Sequence, residues 1–123
     1  MASQVLIACI GVSERQLSVV NSMFELLPHL RDRYKVVTME KDFKKASIAL
    51  VNADNILALR LFDKVTKTNG SIVPIMLSNE RELDPDAAKH KPDLVLRSRP
   101  IKVRELLEAF TKAFHTLGHG SAA

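Results

Sequence analysis

Four polar side chains stand at the ends of apolar runs, and they are the first candidates for chemistry in this chain. They are Cys9, Asn52, Ser78 and Arg99. Together they offer a thiol, an amide, a hydroxyl and a guanidinium, which suit hydrogen bonding or contact with an anion. None of the four is a carboxylate. The set therefore lacks the acids that metal binding or acid–base turnover would need.

The apolar runs span residues 5–10, 48–52, 73–78 and 93–100. Near-continuous apolar runs of this length are typical of strands buried on both faces of a parallel sheet. Ligands of such sheets bind at the carboxyl ends of the strands. We therefore expect the four polar side chains to converge at one edge of the sheet.

The segments between these runs favour helices. Ser13 and Gln16 have the spacing of a capping box at the start of a first helix. Asn69 and Gly70 form a helix stop signal, and a last amphipathic helix is predicted from Val103 onward. Strand and helix alternate five times, which predicts a three-layer α/β/α sandwich with right-handed crossovers. We expect a domain over residues 1–117 and a flexible tail over 118–123.

Composition limits the classes of protein that fit. The chain has 123 residues, enough for one domain, and a single cysteine, Cys9, so an internal disulfide is excluded. We expect a reduced, cytoplasmic setting, because no apolar run approaches the roughly 18 residues that cross a bilayer and no signal-peptide pattern is present. The net charge of +4 is uneven, with six Lys/Arg against three acids in residues 31–45. Nucleic-acid binding is not favoured, since Tyr34 is the only Tyr or Trp.

Residues 93–107 carry a family resemblance. An apolar strand, the basic–proline step Arg99-Pro100 and an amphipathic helix follow one another there. This stretch resembles the end of the receiver domains of bacterial two-component response regulators, and the order and length of the other elements agree over nearly the whole chain. The resemblance implies a five-stranded parallel sheet of the flavodoxin/receiver type, with strand order 2-1-3-4-5.

The phosphorylation chemistry of that family is altered here. Receivers accept a phosphoryl group on an aspartate that ends the third strand, beside two acids that hold Mg²⁺. By resemblance the acid pair falls on Cys9 and Ile10, and the acceptor falls on Asn52. Asp54 is the alternative acceptor in a shifted alignment, although the metal pair would still be absent. A loop acid or a helix N-cap is the other interpretation of Asp54.

The rest of the family's site is retained in part. Ser78 fits the hydroxyl position, Arg99 replaces a lysine with a planar cation, and Leu96 stands at the position of an aromatic switch residue. We therefore expect a degenerate receiver without a metal site or cofactor. Its remnant pocket would consist of Cys9, Ile10, Ser78, Arg99 and Pro100.

These features predict a non-enzymatic module that acts by phosphorylation-independent protein–protein interaction or dimerisation in bacterial signal transduction. The partner would be a signalling protein, a fused output domain or a second copy of the chain, and no membrane is expected. An alternative is a switch that senses a small anion or nucleotide in the remnant pocket. The predicted interface is the charged start of the last helix, with Lys102, Arg104, Glu105 and Glu108.

Overall fold

One parallel β-sheet forms the centre of the structure. The computed structural model describes residues 4–27, 31–97 and 101–122. The strands are β1 (Val5–Ile10), β2 (Tyr34–Val37), β3 (Ile48–Asn52), β4 (Val73–Leu77) and β5 (Leu94–Leu96), in the order β2-β1-β3-β4-β5. The helices are α1 (Glu14–Leu26), α2 (Glu40–Phe43), α3 (Ile56–Thr68), α4 (Pro85–Ala88) and α5 (Val103–Ala122). The predicted fold class and strand order are confirmed.

Two apolar cores lie on opposite faces of the sheet. Successive strand side chains point to opposite faces, so Ile7 packs with α1 and α5, while Ala8 packs with α2, α3 and α4. On the first face Phe24, Tyr34 and Phe110 stack with ring centroids 5.9–6.3 Å apart. These aromatic contacts join α1, β2 and α5 into one layer. The three-layer arrangement follows from strands that are apolar on both sides.

The fifth strand differs from the expectation of burial on both faces. It is only three residues long, it lies at the edge of the sheet, and Val95 is 45% exposed. Leu94 and Leu96 on either side of Val95 are half-buried and pack against the core of α1 and α5. A strand at the sheet edge has one uncovered flank, so its apolar run does not imply full burial.

Local capping explains where two of the helices begin. The Gln16 amide donates to Ser13 Oγ at 3.2 Å, and the Ser13 amide donates to Gln16 Oε1 at 3.0 Å, which completes the predicted capping box of α1. Asn55 caps α3, because its Oδ1 accepts from the amides of Leu57 and Ala58.

Helix α5 extends to Ala122 and so includes most of the segment that we expect to be a tail. Whether residues 118–123 are flexible, and whether the domain ends at residue 117, remain predictions. No helix within the described ranges has the length and apolarity to span a bilayer.

Candidate functional site

The candidate site lies at the carboxyl edge of β1, β3 and β4. These three strands are neighbours, with Ile10 beside Val51 and Asn52 beside Leu77 in the parallel register. Ser78 follows Leu77 directly. The register therefore brings Asn52 and Ser78 to the same edge, as the strand order predicts.

Asn52 ties the end of β3 to the loop after β1. Its Nδ2 donates to the carbonyl oxygen of Gly11 at 3.2 Å, and its Oδ1 accepts from the amide of Asp54 at 3.1 Å. Both ends of the side-chain amide are thus used within the chain. An aspartate would keep the acceptor and lose the donor, so the amide has a structural use at this position.

Gly11 makes this connection possible through close packing. Its φ of +70° is a conformation that favours glycine, and a Cβ at this position would lie 2.5 Å from the Cβ of Ala58. The loop after β1 therefore passes directly against α3. The hydrogen bond from Asn52 to Gly11 and the close approach of Gly11 to Ala58 together hold β1, β3 and α3 next to one another.

Asp54 is the carboxylate of the site. Ser78 Oγ donates to its Oδ1 at 2.7 Å, and the amide of Asn79 donates to its Oδ2 at 2.8 Å. Each carboxylate oxygen thus has a donor from the loop after β4. The interpretation of Asp54 as a helix N-cap is wrong, because Asn55 performs that function. Asp54 is a loop acid that connects β3 to the end of β4.

Ser78 is the centre of the hydrogen-bond network. It is only 4% exposed; its amide donates to the carbonyl of Leu96 at 2.9 Å, and its Oγ accepts from the amide of Glu80 at 3.1 Å. A serine hydroxyl has a single proton to donate. That proton is directed at Asp54. Together with the bond from its amide to Leu96, this connects Ser78 at the end of β4 to both Asp54 and β5.

Cys9 and Ile10 lie in two different cores and are not brought together at the site. Cys9 packs on the face of α1 and α5, and Ile10 packs on the opposite face, with exposures of 6% and 1%. Burial raises the pKa of the Cys9 thiol to about 12. Cys9 is therefore a neutral, apolar side chain at neutral pH.

The other predicted residues have separate locations. Leu96 is the last residue of β5 and is half-buried. Arg99 and Pro100 lie outside the described residues. Within the described ranges, no group of three or more His, Cys, Asp or Glu side chains has the arrangement of a metal site.

The predicted interface residues lie at the start of α5, away from this network in sequence. Lys102 precedes the helix, and its carbonyl oxygen accepts from the amide of Leu106 at 3.0 Å. Arg104 Nε lies 3.9 Å from Glu108 Oε1, and these side chains are 91% and 65% exposed. Glu105 is half-buried. The ion pair of Arg104 and Glu108 is solvated and spans one helical turn. Both charges therefore stay accessible to a partner.

Sequence reasoning missed the central position of Asp54. The spacing Asn52, Asp54, Asn55 was an available signal, because short polar side chains after a strand commonly bond the backbone two or three residues on. The contact of Asp54 with Ser78 joins residues 24 positions apart. Only the pairing of β3 with β4 brings them together.

Solved structures share this fold at low sequence identity. A response regulator from Thermotoga maritima is 15% identical, with a TM-score of 0.65 over 90% of this chain and 98% of that chain. A candidate pilus assembly-related protein from Burkholderia pseudomallei is also 15% identical, with a TM-score of 0.67 over 94% and 93% of the two chains.

A third similar structure is a protein complex. It is the Saccharomyces cerevisiae co-crystal of the phosphotransfer protein Ypd1 with the receiver domain of the response regulator Ssk1. The match is 12% identical, with a TM-score of 0.59 over 90% of this chain and 89% of that chain. Neither a protein-family model nor a curated protein sequence matches the chain. The chain has the receiver fold.

Proposed function

We propose that this domain is a receiver-like module of signal transduction that acts by protein–protein interaction without being phosphorylated. The observation that carries the proposal is the pair of hydrogen bonds from Ser78 and Asn79 to the two oxygens of Asp54. An anion of the chain itself already occupies the donors at the end of β4. The donors that a phosphoryl group would otherwise engage are already bonded to Asp54. We therefore expect the module to bind its partner constitutively, without phosphorylation.

The positions around this network support the same proposal. Asn52, at the acceptor position that the resemblance implies, uses its amide to hold Gly11 and Asp54. Cys9 and Ile10, at the positions of the acid pair, are buried apolar side chains. A hard divalent cation needs oxygen ligands, which these residues do not supply. The proposed mechanism therefore contains no catalytic step.

The solved structures of the same fold supply a precedent for protein partners. The receiver domain of Ssk1 is crystallised with the phosphotransfer protein Ypd1, and a second similar chain is described as related to pilus assembly. For the present chain we infer a signalling protein, a fused output domain or a second copy of itself as the partner.

The start of α5 is the proposed surface for self-association. Lys102 and Arg104 supply positive charge, and Glu105 and Glu108 supply negative charge within two turns. In a two-fold dimer each subunit presents the same patch, so opposite charges can pair across the axis. Exposed ion pairs contribute only about 0–1 kcal/mol each. They would set the register of the dimer more than its affinity.

The proposal is tested by incubating the purified chain with a small phosphoryl donor and Mg²⁺ and measuring its intact mass. We expect no addition of a phosphoryl group. An addition that is lost in Asp54→Asn would overturn the proposal and make Asp54 the acceptor. Self-association is measured separately by sedimentation, with Arg104→Glu as the test variant and Lys112→Glu as the matched exposed control on the same helix. A strict monomer at high concentration would contradict the dimer.

A switch that senses a small anion or nucleotide is the weaker proposal. The donors that would bind such a ligand, the Ser78 hydroxyl and the Asn79 amide, are directed at Asp54. The Asp54 carboxylate would also repel an anion at that position. A thermal-shift screen with phosphates and cyclic dinucleotides distinguishes the two. Stabilisation that is lost in Arg99→Ala would favour the switch.

A further inference from the structure

A cationic groove lies between α2 and α3, on the face of the sheet opposite α5. Its volume is about 440 Å³, and it is lined by Glu40, Lys41, Lys44, Lys64, Val65 and Thr68. Helices α2 and α3 both pack on the core that contains Phe43 and Phe62. The proposed function of the module makes no use of this groove.

The charges of the groove are unbalanced. Lys64 Nζ lies 3.1 Å from Glu40 Oε1, and this ion pair neutralises one cation. Among the residues that the structure describes, Lys41 and Lys44 form no ion pair, and both are exposed. Two positive charges are therefore left to attract carboxylates from outside the chain.

The same positive charge continues along α3. Arg60 and Lys67 are exposed and lie about one turn before and after Lys64, on the same side of the helix. The one acid between them, Asp63, is paired with Lys89 at 3.2 Å. Arg60 and Lys67 thus add positive charge along α3 on either side of the Lys64–Glu40 ion pair.

Two exposed apolar side chains stand at the beginnings of α2 and α3. Met39 directly precedes α2 and is 58% exposed, and Leu57 lies two turns before Lys64 on α3 and is 69% exposed. Both helices begin at the carboxyl edge of the sheet, and neither side chain is among those that line the groove. Single exposed apolar residues are common on protein surfaces. A segment that runs from the groove toward the beginnings of the two helices would meet them and gain an apolar contact that charge alone does not give.

We propose that this groove binds an acidic segment of a protein partner. Carboxylates of the segment would pair with Lys41 and Lys44, and an apolar side chain would contact Met39 and Leu57. A nucleic acid fits less well, because the lining has no aromatic side chain on which a base could stack and Glu40 would repel phosphates. The inference rests on the proposed interaction function but uses a surface separate from α5.

The experiment uses the whole chain and a fluorescein-labelled peptide of alternating glutamate and leucine. The control peptide replaces each glutamate with glutamine. We expect the acidic peptide alone to bind, its affinity to fall as NaCl is raised, and backbone amide shifts in NMR spectra to lie on α2 and α3. The test variant Lys41→Glu/Lys44→Glu should weaken binding by roughly tenfold or more. The control variant Lys35→Glu/Lys112→Glu has the same net charge and should bind as the unaltered chain does.

Three outcomes would overturn the inference. They are equal binding of the two peptides, equal loss of binding in the two double variants, and amide shifts confined to α5. Tighter binding of a single-stranded oligonucleotide that is also lost in Lys41→Glu/Lys44→Glu would assign the groove to nucleic acid instead. All four substituted lysines are exposed, and thermal melts of both variants verify that the fold is retained. The intact-mass and sedimentation experiments that test the proposed function do not involve the groove. Their results are therefore independent of this peptide-binding experiment.

Discussion

Ser78 Oγ and Asp54 Oδ1 are 2.7 Å apart, and this hydrogen bond joins the end of β4 to the loop between β3 and α3. The bond is charge-assisted and its donor is almost fully buried. It determines what the candidate site can do, because it engages the single proton that the buried Ser78 hydroxyl can donate, while the Asp54 carboxylate itself is exposed.

The energetic coupling of Asp54 and Ser78 can be measured by a double-mutant cycle. We expect a coupling free energy of about 1 kcal/mol between Asp54→Ala and Ser78→Ala in urea denaturation. Asp54→Asn should be destabilised as well. One of the two carboxylate oxygens becomes an NH₂ group, which would face the donor from Ser78 or Asn79. Glu82→Ala, which changes an acid in the loop after β4, is the control and should change stability by less than about 0.5 kcal/mol. A coupling near zero would contradict the network.

Restoring an aspartate at position 52 should not restore phosphorylation. In Asn52→Asp the donor to the Gly11 carbonyl becomes a carboxylate oxygen, and a second negative charge is placed near Asp54. We expect a loss of about 1–2 kcal/mol, greater than in Asn52→Ala, because the alanine removes the bond without adding repulsion. Urea denaturation of the two variants measures the difference. Phosphoryl addition to Asn52→Asp in the presence of Mg²⁺ would show that Cys9 and Ile10 do not prevent metal binding.

Gly11 should tolerate no side chain. Its φ is positive, and a Cβ added to it would lie only 2.5 Å from Ala58 Cβ, so Gly11→Ala must displace α3 or the loop. We expect a destabilisation of roughly 1–3 kcal/mol. Gly70→Ala is the matched control, because a Cβ there would meet only the Thr66 carbonyl oxygen at 3.7 Å, an ordinary contact. Equal effects of the two substitutions on the melting temperature would refute the close approach.

The pH dependence of stability should contain a contribution from His90. Its Nε2 is buried without a hydrogen-bond partner and lies 3.6 Å from Asp63 Oδ1, and its ring meets that of Phe62 edge-on. Burial lowers the pKa of His90 below its ordinary 6.5; Asp63 opposes this and Lys89 adds to it. A lowered pKa stabilises the fold above pH 6.5, and that stabilisation is lost as the pH falls through the folded-state pKa.

The His90 contribution can be separated by substitution. Unfolding free energies of the native chain should decline below pH 6.5 more steeply than those of His90→Gln. His115→Gln, which changes an exposed histidine of α5, should retain the native slope. Identical slopes for all three proteins would mean that the attraction of Asp63 cancels the effect of burial.

Cys9 should react slowly with thiol reagents. The side chain is 6% exposed and burial raises its pKa to about 12, so both access and thiolate formation are suppressed. We expect Ellman's reagent to label the native chain far more slowly than the chain in urea, with Cys9→Ala as the blank. Because burial raises the folded-state pKa of the thiol from the ordinary 9.0 to about 12, the native chain should also lose stability relative to Cys9→Ala as the pH rises from about 9 to about 12, with no difference in slope below 9. Rapid labelling under native conditions would indicate local opening of β1.

The fold was accessible from the sequence because its signals are local or periodic. The capping box of Ser13 and Gln16 and the stop signal at Asn69 lie within single segments. The buried strands β1, β3 and β4 are nearly uninterrupted apolar runs. The burial of β5 was overestimated, because an apolar run does not reveal which strand is at the edge.

The site was less accessible because its contacts are long-range. Asn52 and Gly11 are 41 positions apart, and their hydrogen bond depends on the adjacency of β1 and β3. Residue types alone indicated that Asn52 and Ser78 share an edge. They did not indicate that Asp54 would turn back to meet the Ser78 hydroxyl, since that depends on the path of the loop before α3.

The sheet separates the groove of α2 and α3 from the charged start of α5, because the two helical layers cover opposite faces. A partner bound on one layer therefore does not sterically block a partner on the other. If both proposed surfaces bind partners, the domain would act as a bivalent connector. Two weak contacts on its two sides would then hold an assembly together by avidity.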